Sequence, residues 1–263
     1  MIPAVIPPLT GLSVLVTRPA AQAAVLAAGI RALGGDAQQL PAIEIRPLTA
    51  SVSVAHDLVI FVSVNAVEHG SHLILRSGNL RIAAIGRATA AALAAADLAA
   101  DIVPEHGFTS EALLAHPQLT LTSGARILIV RGHGGRDLLQ QTFASQGFTV
   151  DVLDVYERVL PTLEAGRRDE LESLWSADGV DVVTITSVET LSNLLSLLSE
   201  RGRDLLRTTP LVVPSPRIKE AAAEMGLYGD YILAAGADDE SITGALSQWH
   251  ARARFRAGTS LRP

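Results

Sequence analysis

The sequence has no cysteine. That excludes disulfides, thiolate nucleophiles and thiolate metal sites, and it fits a reducing cytoplasm. Aromatic residues are scarce, at 4% against 48% hydrophobic residues, so the core has to be packed from Leu, Val, Ile and Ala. No apolar run reaches the roughly 20 residues that a membrane-spanning helix needs. Positive charge is not in excess either: the net charge of −6 speaks against general nucleic-acid binding. The basic residues that do cluster are Arg252, Arg254, Arg256 and Arg262, read here as a frayed tail. The opening MIPAVIPPLTGLS has no positive region, and its prolines argue against a signal peptide, so Met1–Thr10 is expected to be a leader. The seven histidines are scattered. His69 and His72 could share a helix face, but no acid or further histidine at ligand spacing joins them in a metal site. No Gly-x-Ser-x-Gly elbow signals a catalytic triad.

What the chain does contain is a strand–turn–helix–strand unit, written twice. Ala125–Pro161 (ARILIVRGHGGRDLLQQTFASQGFTVDVLDVYERVLP) begins with the β-branched run Arg126–Val130. Glycines at 132, 134 and 135 break that run, and helical spacing follows over Asp137–Ser145, stopped by Gly147. Leu12–Pro47 repeats the pattern, with Arg18 in the place of Arg131 and Gly34 in the place of Gly147. Further copies match: DLVIFVSVN at Asp57–Asn65 with DVVTITSVE at Asp181–Glu189, which sets Ser63 over Ser187, and Arg81–Ala91 with Leu211–Ala221, which sets Gly86 over Ser215. At 263 residues the chain is long enough for two such α/β halves.

Read in order, strands are expected at Leu12–Thr17, Leu58–Val62, Ile82–Ile85, Ile102–Val103, Arg126–Val130, Val182–Thr186, Leu211–Val213 and Tyr231–Leu233, alternating with helices as in a parallel sheet. The helix after Pro161 is expected over Leu163–Trp175. Gln38–Leu48 and Thr149–Val159 are extended segments ending near Pro47 and Pro161, at equivalent places in the repeat. They are expected to be the two chain crossings, lying side by side. Residues 1–37 with 162–263 then make one lobe, 49–148 the other, and 38–48 with 149–161 the two-stranded link. Ligands of open parallel sheets bind beyond the carboxyl ends of the strands, so a site is expected in a cleft between the lobes, lined by strand-to-helix loops.

Those loops carry Ser, Thr, Gly and Arg and few acids: Arg18, Ser63, Asn65, Ala66, Gly86, Thr89, Arg131, Gly132, Arg136, Thr186, Ser187 and Ser215. Helix N-termini with this chemistry suit a polycarboxylate or a phosphate ester. Ser63, Thr89 and Ser187 have a plainer reading as helix caps. Arg18 and Arg131 are either bidentate carboxylate clamps or ties within their own lobes. The Gly132–Gly135 loop does not make a dinucleotide fingerprint, because Asp137 stands where the third glycine belongs. Tyr156, on a crossing strand, is either a proton donor or an aromatic plug at the hinge.

Taken in order and spacing, VTRP at Val16–Pro19, IFVSVNAV at Ile60–Val67, AIGRATA at Ala84–Ala90, IVRGHGGR at Ile129–Arg136, Val155-Tyr156 with Arg158, and Ile185-Thr186-Ser187 resemble the uroporphyrinogen-III synthase family. The resemblance runs from Leu12 to about Leu246. Ser215 departs from the glycine often found there, and the basic tail is a second departure. The resemblance implies two Rossmann-like (flavodoxin-like) lobes joined by a two-stranded ladder. It also implies cyclisation of hydroxymethylbilane, a linear tetrapyrrole polycarboxylate, with inversion of ring D. In that chemistry hydroxide leaves to give an azafulvene, and a spiro intermediate fragments and recloses, without a metal or organic cofactor. Tyr156 is then the candidate general acid. A cytoplasmic monomer acting on a small molecule, with no nucleic-acid or membrane partner, is expected. The alternative is a non-catalytic tetrapyrrole-binding or regulatory module that keeps the fold.

Overall fold

The computed structural model describes residues 6–259 apart from Ser77 and Phe108. In chain order the strands are β1 (Ser13–Val16), β2 (Asp36–Gln39), β3 (Glu44–Pro47), β4 (Leu58–Phe61), β5 (Arg81–Ala84), β6 (Arg126–Gly132), β7 (Thr149–Val159), β8 (Val182–Thr184), β9 (Leu211–Val213) and β10 (Tyr231–Leu233). The helices are α1 (Ala20–Ala32), α2 (Val64–Gly70), α3 (Arg87–Ala95), α4 (Ser110–Leu114), α5 (Leu138–Ser145), α6 (Arg167–Ser176), α7 (Val188–Leu197), α8 (Glu200–Thr208), α9 (Pro216–Glu224) and α10 (Asp239–Thr259). The chain divides into two compact units, Met1–Glu44 with Leu160–Pro263, and Ile45–Val159.

The first unit holds a parallel sheet in the order β10-β9-β8-β1-β2. Its strands are short apolar runs because helices cover both faces. Leu15, Val183 and Leu211 point to one side, with Trp175, Leu191 and Leu194. Val14, Val16 and Val182 point to the other, with Leu26, Ile30 and Leu246. The second unit holds a sheet in the order β3-β7-β6-β4-β5, parallel from β7 to β5. Val59, Phe61, Leu128 and Val130 pack with Val67 and Leu93, while Leu58, Ile60, Ile127 and Ile129 pack with Leu113, Leu139 and Phe143.

The internal repeat appears as topology. Strands β9-β8-β1-β2 of the first sheet stand in the same order as β5-β4-β6-β7 of the second. The place that β10 takes beside β9 is taken beside β5 by a single parallel bridge, Ile102 to Ala83. Ile102–Val103 is therefore not the strand expected from sequence. Pro104 offers no N–H, and Asp101 turns its carboxylate back onto the Ile82 N–H at 2.8 Å instead of extending the ladder.

Other expectations are corrected in the same way. Gln38–Leu48 is two strands: β2 at the edge of the first sheet and β3 at the edge of the second, with Pro41 between them. The two extended segments do lie side by side, β3 being the neighbour of β7; β7 is in addition a full member of the second sheet, paired with β6 from Thr149 to Tyr156. The helix after Pro161 starts only at Arg167, because Gly166 adopts φ +81° just before it. The run before Leu211 hides an extra helix, α8, capped by Ser199, whose Oγ accepts from the Gly202 N–H at 3.3 Å. Residues Pro7–Thr10 are not a loose leader. Leu9 is fully buried and its N–H donates to the Leu33 carbonyl at 2.9 Å, a burial that stabilises by about 2 kcal/mol. Met1–Val5 lie outside the described residues. The basic tail is not frayed at its start, since α10 runs on through Arg252 and Arg254, where alternating Ala and Arg are good helix formers. Arg262 lies outside the described residues.

Candidate active site

In an open parallel sheet, ligands bind where the strand order reverses. In the second unit β5 follows β4 to one side and β7 follows β6 to the other, so the reversal falls between β4 and β6. The loops that leave these strands begin at Val62 and His133. Tyr156 lies on β7, next to β6. A register shift brings it there: Arg131 pairs with Asp154, yet Gly132 pairs with Tyr156, so Val155 is an extra residue on β7. Such a bulge re-aims the side chain that follows it. Val155 itself is buried.

The ring of Tyr156 lies directly over Gly132. A Cβ built on Gly132 would come within 2.5 Å of Cζ and 2.9 Å of Oη, so the position has no room for any side chain. Tyr156 is 4% exposed and belongs to the core that includes Val67 and Val130. The His69 ring lies 6.0 Å from it between centroids, tilted by 43°. Its hydroxyl sits 3.1 Å from Ser63 Oγ. Ser63 is the N-cap of α2 and accepts from the Ala66 N–H at 3.0 Å. Ser63, Ala66, Gly132 and Tyr156 are thus brought together, with half-buried Asn65 in the first turn of α2.

Arg131 is engaged by its own loop. Nε donates to Asp154 Oδ1 at 3.1 Å, while Nη1 donates to Asp137 Oδ1 at 2.8 Å and to the carbonyls of Gly135 and Arg136 at 3.2 and 3.3 Å. Burial opposes the charge of this guanidinium, but the hydrogen bonds to Asp137 and Asp154 outweigh it and raise its pKa. Asp154 also receives His133, Nδ1 to Oδ2 at 3.0 Å, and the His133 N–H donates to the Tyr156 carbonyl at 2.7 Å. Arg136 reaches outward to Glu111 Oε1 at 3.0 Å, both side chains being exposed.

In the first unit the reversal falls between β1 and β8. Arg18 follows β1 and forms an ion pair with Asp239 in the first turn of α10. Half-buried Thr186 leads to Ser187, which caps α7 by accepting from the Thr190 N–H at 3.0 Å. Gly86 and Ser215, equivalent in the repeat, are the N-caps of α3 and α9. Neither makes a side-chain capping bond, and neither helix has an acid in its first turn. The first N–H groups of α3, near Arg87, suit an anion such as a carboxylate. α9 opens on Pro216, which has no N–H, so its first donor is the Arg217 N–H. Thr89 in α3 is buried.

Sequence reasoning missed Asp154, one of three acids on β7, because its pairing with Arg131 depends on a register that the sequence does not show. From sequence His69 is legible only beside His72, as a candidate metal pair, and its ring contact with Tyr156 has no sequence signal. Among the described residues no three His, Asp or Glu side chains form a group that could hold a metal ion, and no helix is long and apolar enough to cross a membrane.

Residues 24–243 match the family described as Uroporphyrinogen-III synthase HemD. The chain is 34% identical to uroporphyrinogen-III synthase of Salmonella typhimurium over 250 residues, covering 89% of this chain and all of that protein. It is 32% identical to the Escherichia coli uroporphyrinogen-III synthase with the same coverage. Among solved structures it is similar to uroporphyrinogen-III synthetase from Helicobacter pylori, with TM-score 0.57 and 15% identity over 90% of this chain and 99% of that one, a likeness of fold.

Proposed function

The chain belongs to the uroporphyrinogen-III synthase family, and from that membership we propose how its residues carry out the family's reaction. It is an enzyme that closes the linear tetrapyrrole hydroxymethylbilane into uroporphyrinogen III with ring D inverted. Tyr156 donates the proton with which the hydroxyl group departs as water, leaving the azafulvene that attacks ring D. The observation that carries this role is the hydroxyl of Tyr156, held 3.1 Å from Ser63 at the strand reversal of the second sheet.

The carboxylate-binding groups are Asn65 and the helix start at Gly86 in the second unit, and Thr186 and the helix start at Ser215 in the first. The Ser187 hydroxyl already meets the Thr190 N–H and hydroxyl at 3.0 and 2.8 Å, and Thr89 is buried. The reading is supported by helix N-termini without acids and without side-chain caps at Gly86 and Ser215. Gly132 makes room for Tyr156. Arg18 and Arg131 serve chiefly as ties that shape their loops, a reading favoured by their bonds to Asp239, Asp137 and Asp154. Arg136 and Ala66 stand at the border of the site, one exposed and paired with Glu111, the other occupied in capping α2. Holding a flexible chain in the geometry of ring closure supplies most of the acceleration.

We place the enzyme in the cytoplasm as a monomer without a nucleic-acid partner, a reading supported by the absence of cysteine and the net charge of −6. Sedimentation velocity tests the monomer. The deciding experiment adds purified protein to enzymatically generated hydroxymethylbilane and analyses the product isomers. Uroporphyrinogen III is expected, and a product containing only the spontaneously formed isomer I would overturn the assignment.

A further inference from the structure

Ser63 entered as a group that could bind a substrate carboxylate or cap a helix, but its hydroxyl already has two neighbours. A serine hydroxyl has one proton and two lone pairs. The Ala66 N–H, at 3.0 Å, occupies one lone pair. The remaining contact is Tyr156 Oη at 3.1 Å. Two arrangements of protons satisfy this pair. If Tyr156 donates to Ser63, the phenolic proton is held inside the protein. If Ser63 donates to Tyr156, the phenolic proton points away from Ser63 and can be given to a substrate.

We infer that Ser63 is a positioning residue for the reaction, donating its proton to Tyr156 Oη during turnover, and that it is not a carboxylate ligand. The inference rests on the reading of Tyr156 as proton donor. When the C–O bond of the hydroxymethyl group breaks, the leaving oxygen takes its electron pair, and the Tyr156 proton completes a molecule of water. The phenolate left behind accepts a hydrogen bond from Ser63, and hydrogen bonds to a charged oxygen are about twice as strong as neutral ones. The proton released when the new ring rearomatises restores the phenol, so protons balance over the cycle. The geometry of the surroundings supports the assignment. Gly132 leaves no space for the ring to be held by a side chain from beneath, since a Cβ there would lie 2.6 Å from Cε2. The backbone at Tyr156 is fixed by the His133 N–H at 2.7 Å. The orientation of the phenolic oxygen is then set through Ser63, which is itself fixed by the start of α2.

The test is a kinetic cycle on enzymatically generated hydroxymethylbilane with Ser63→Gly, Ser63→Thr, Tyr156→Phe and the Ser63→Gly/Tyr156→Phe pair. Glycine is tolerated at helix N-caps, so Ser63→Gly removes the hydroxyl while keeping α2; circular dichroism and the melting temperature verify this, and Ser63→Ala serves as a second variant. Loss of a hydrogen bond to a charged group predicts a fall in kcat between about 10- and 100-fold for Ser63→Gly, with KM nearly unchanged. Ser63→Thr, which keeps the hydroxyl and the cap, should restore most of the loss. In the Tyr156→Phe background, removing the Ser63 hydroxyl should have almost no further effect on kcat. Equal losses with and without the Tyr156 hydroxyl, or a raised KM at full kcat, would overturn the role of Ser63 while leaving Tyr156 in place. Full activity of Tyr156→Phe alone would instead remove the proton donor itself, and this inference with it.

Discussion

Arg131 and Asp154 are register partners across β6 and β7, and their side chains also meet, Nε to Oδ1 at 3.1 Å. The same guanidinium closes the loop back through Asp137 and two carbonyls. An arginine bound in this way fixes the entrance to α5 and the position of Gly132 beside Tyr156.

Arg131→Ala should therefore act first on stability. Removing this partly exposed, charge-assisted set of hydrogen bonds costs on the order of 1–2 kcal/mol, visible as a lowered denaturation midpoint. Arg131→Lys should recover little, since a single ammonium cannot serve Asp154, Asp137 and the two carbonyls in the planar geometry of a guanidinium. A wild-type midpoint together with a strongly raised KM would identify Arg131 as a carboxylate clamp instead. Arg18→Ala should lose less than about 1 kcal/mol, because its partner Asp239 is 37% exposed and solvent screens the pair.

Gly132→Ala is expected to mimic loss of the Tyr156 hydroxyl while leaving Tyr156 in the sequence. The added methyl has to displace the phenol ring, at a cost of about 1–3 kcal/mol for overpacking, and kcat should fall in step with the displacement. Steady-state kinetics beside a urea titration check both effects. A fully active, fully stable Gly132→Ala would show that the ring is not confined at this position.

Tyr156→Phe keeps the packed ring and removes the proton donor. General acid catalysis contributes about 10²–10⁴-fold, so turnover at saturating substrate should drop by that order with an unchanged melting temperature. A rate within about threefold of wild type, equal to about 0.65 kcal/mol of barrier, would exclude Tyr156 as the main acid.

Asp238 gives a pH dependence with a defined sign. The backbone N–H of Ser241 and its hydroxyl, each 2.8 Å from the carboxylate, lower the Asp238 pKa, and the charge of Arg18 adds a smaller effect. A carboxyl whose pKa is lower in the folded than in the unfolded state contributes stability above its unfolded value, near 3.9, and loses it as pH falls through the folded value. Asp238→Asn keeps an N-cap acceptor but should flatten that part of the stability profile below about pH 4. Thermal unfolding of both proteins between acidic and neutral pH measures the difference. Identical slopes would rule out this role for Asp238.

Much of the fold could be read from residues because it is written twice. Arg18 over Arg131 and Ser63 over Ser187 established the repeat, and the parallel strands announced themselves as short runs such as LVIF and RILIV. The failures share a physical cause. Ile102–Val103 looks like a strand, but of the two only Ile102 bonds to β5: the Asp101 carboxylate takes the Ile82 N–H on one side, and Pro104 has no N–H to give on the other. Residues 200–208 carry Gly202 and several charges, so their helix depends on the Ser199 cap and on Glu172, whose Oε1 accepts from the Ser199 N–H at 2.8 Å. In the site, Ser63 and Gly132 are legible as loop residues, whereas Tyr156 is legible only from its place on a crossing strand and from the family resemblance. The bulge that places Tyr156 over Gly132 has no sequence signature, because a one-residue slip of register is decided by the packing of Val155 and its neighbours.

The strand order β8-β1-β2 has a consequence for the birth of the protein. β1 and β8 are direct neighbours, yet β8 is synthesised long after β1, with all of Ile45–Val159 emerging from the ribosome in between. That middle segment is contiguous and holds both of its own core layers, so it can fold as soon as it is made. β1, α1 and β2 can cover only part of one another's apolar surface until Val182–Val213 and then α10 appear, a long-range closure of the kind that slows folding. The first unit, though its chain begins first, is the last to be completed.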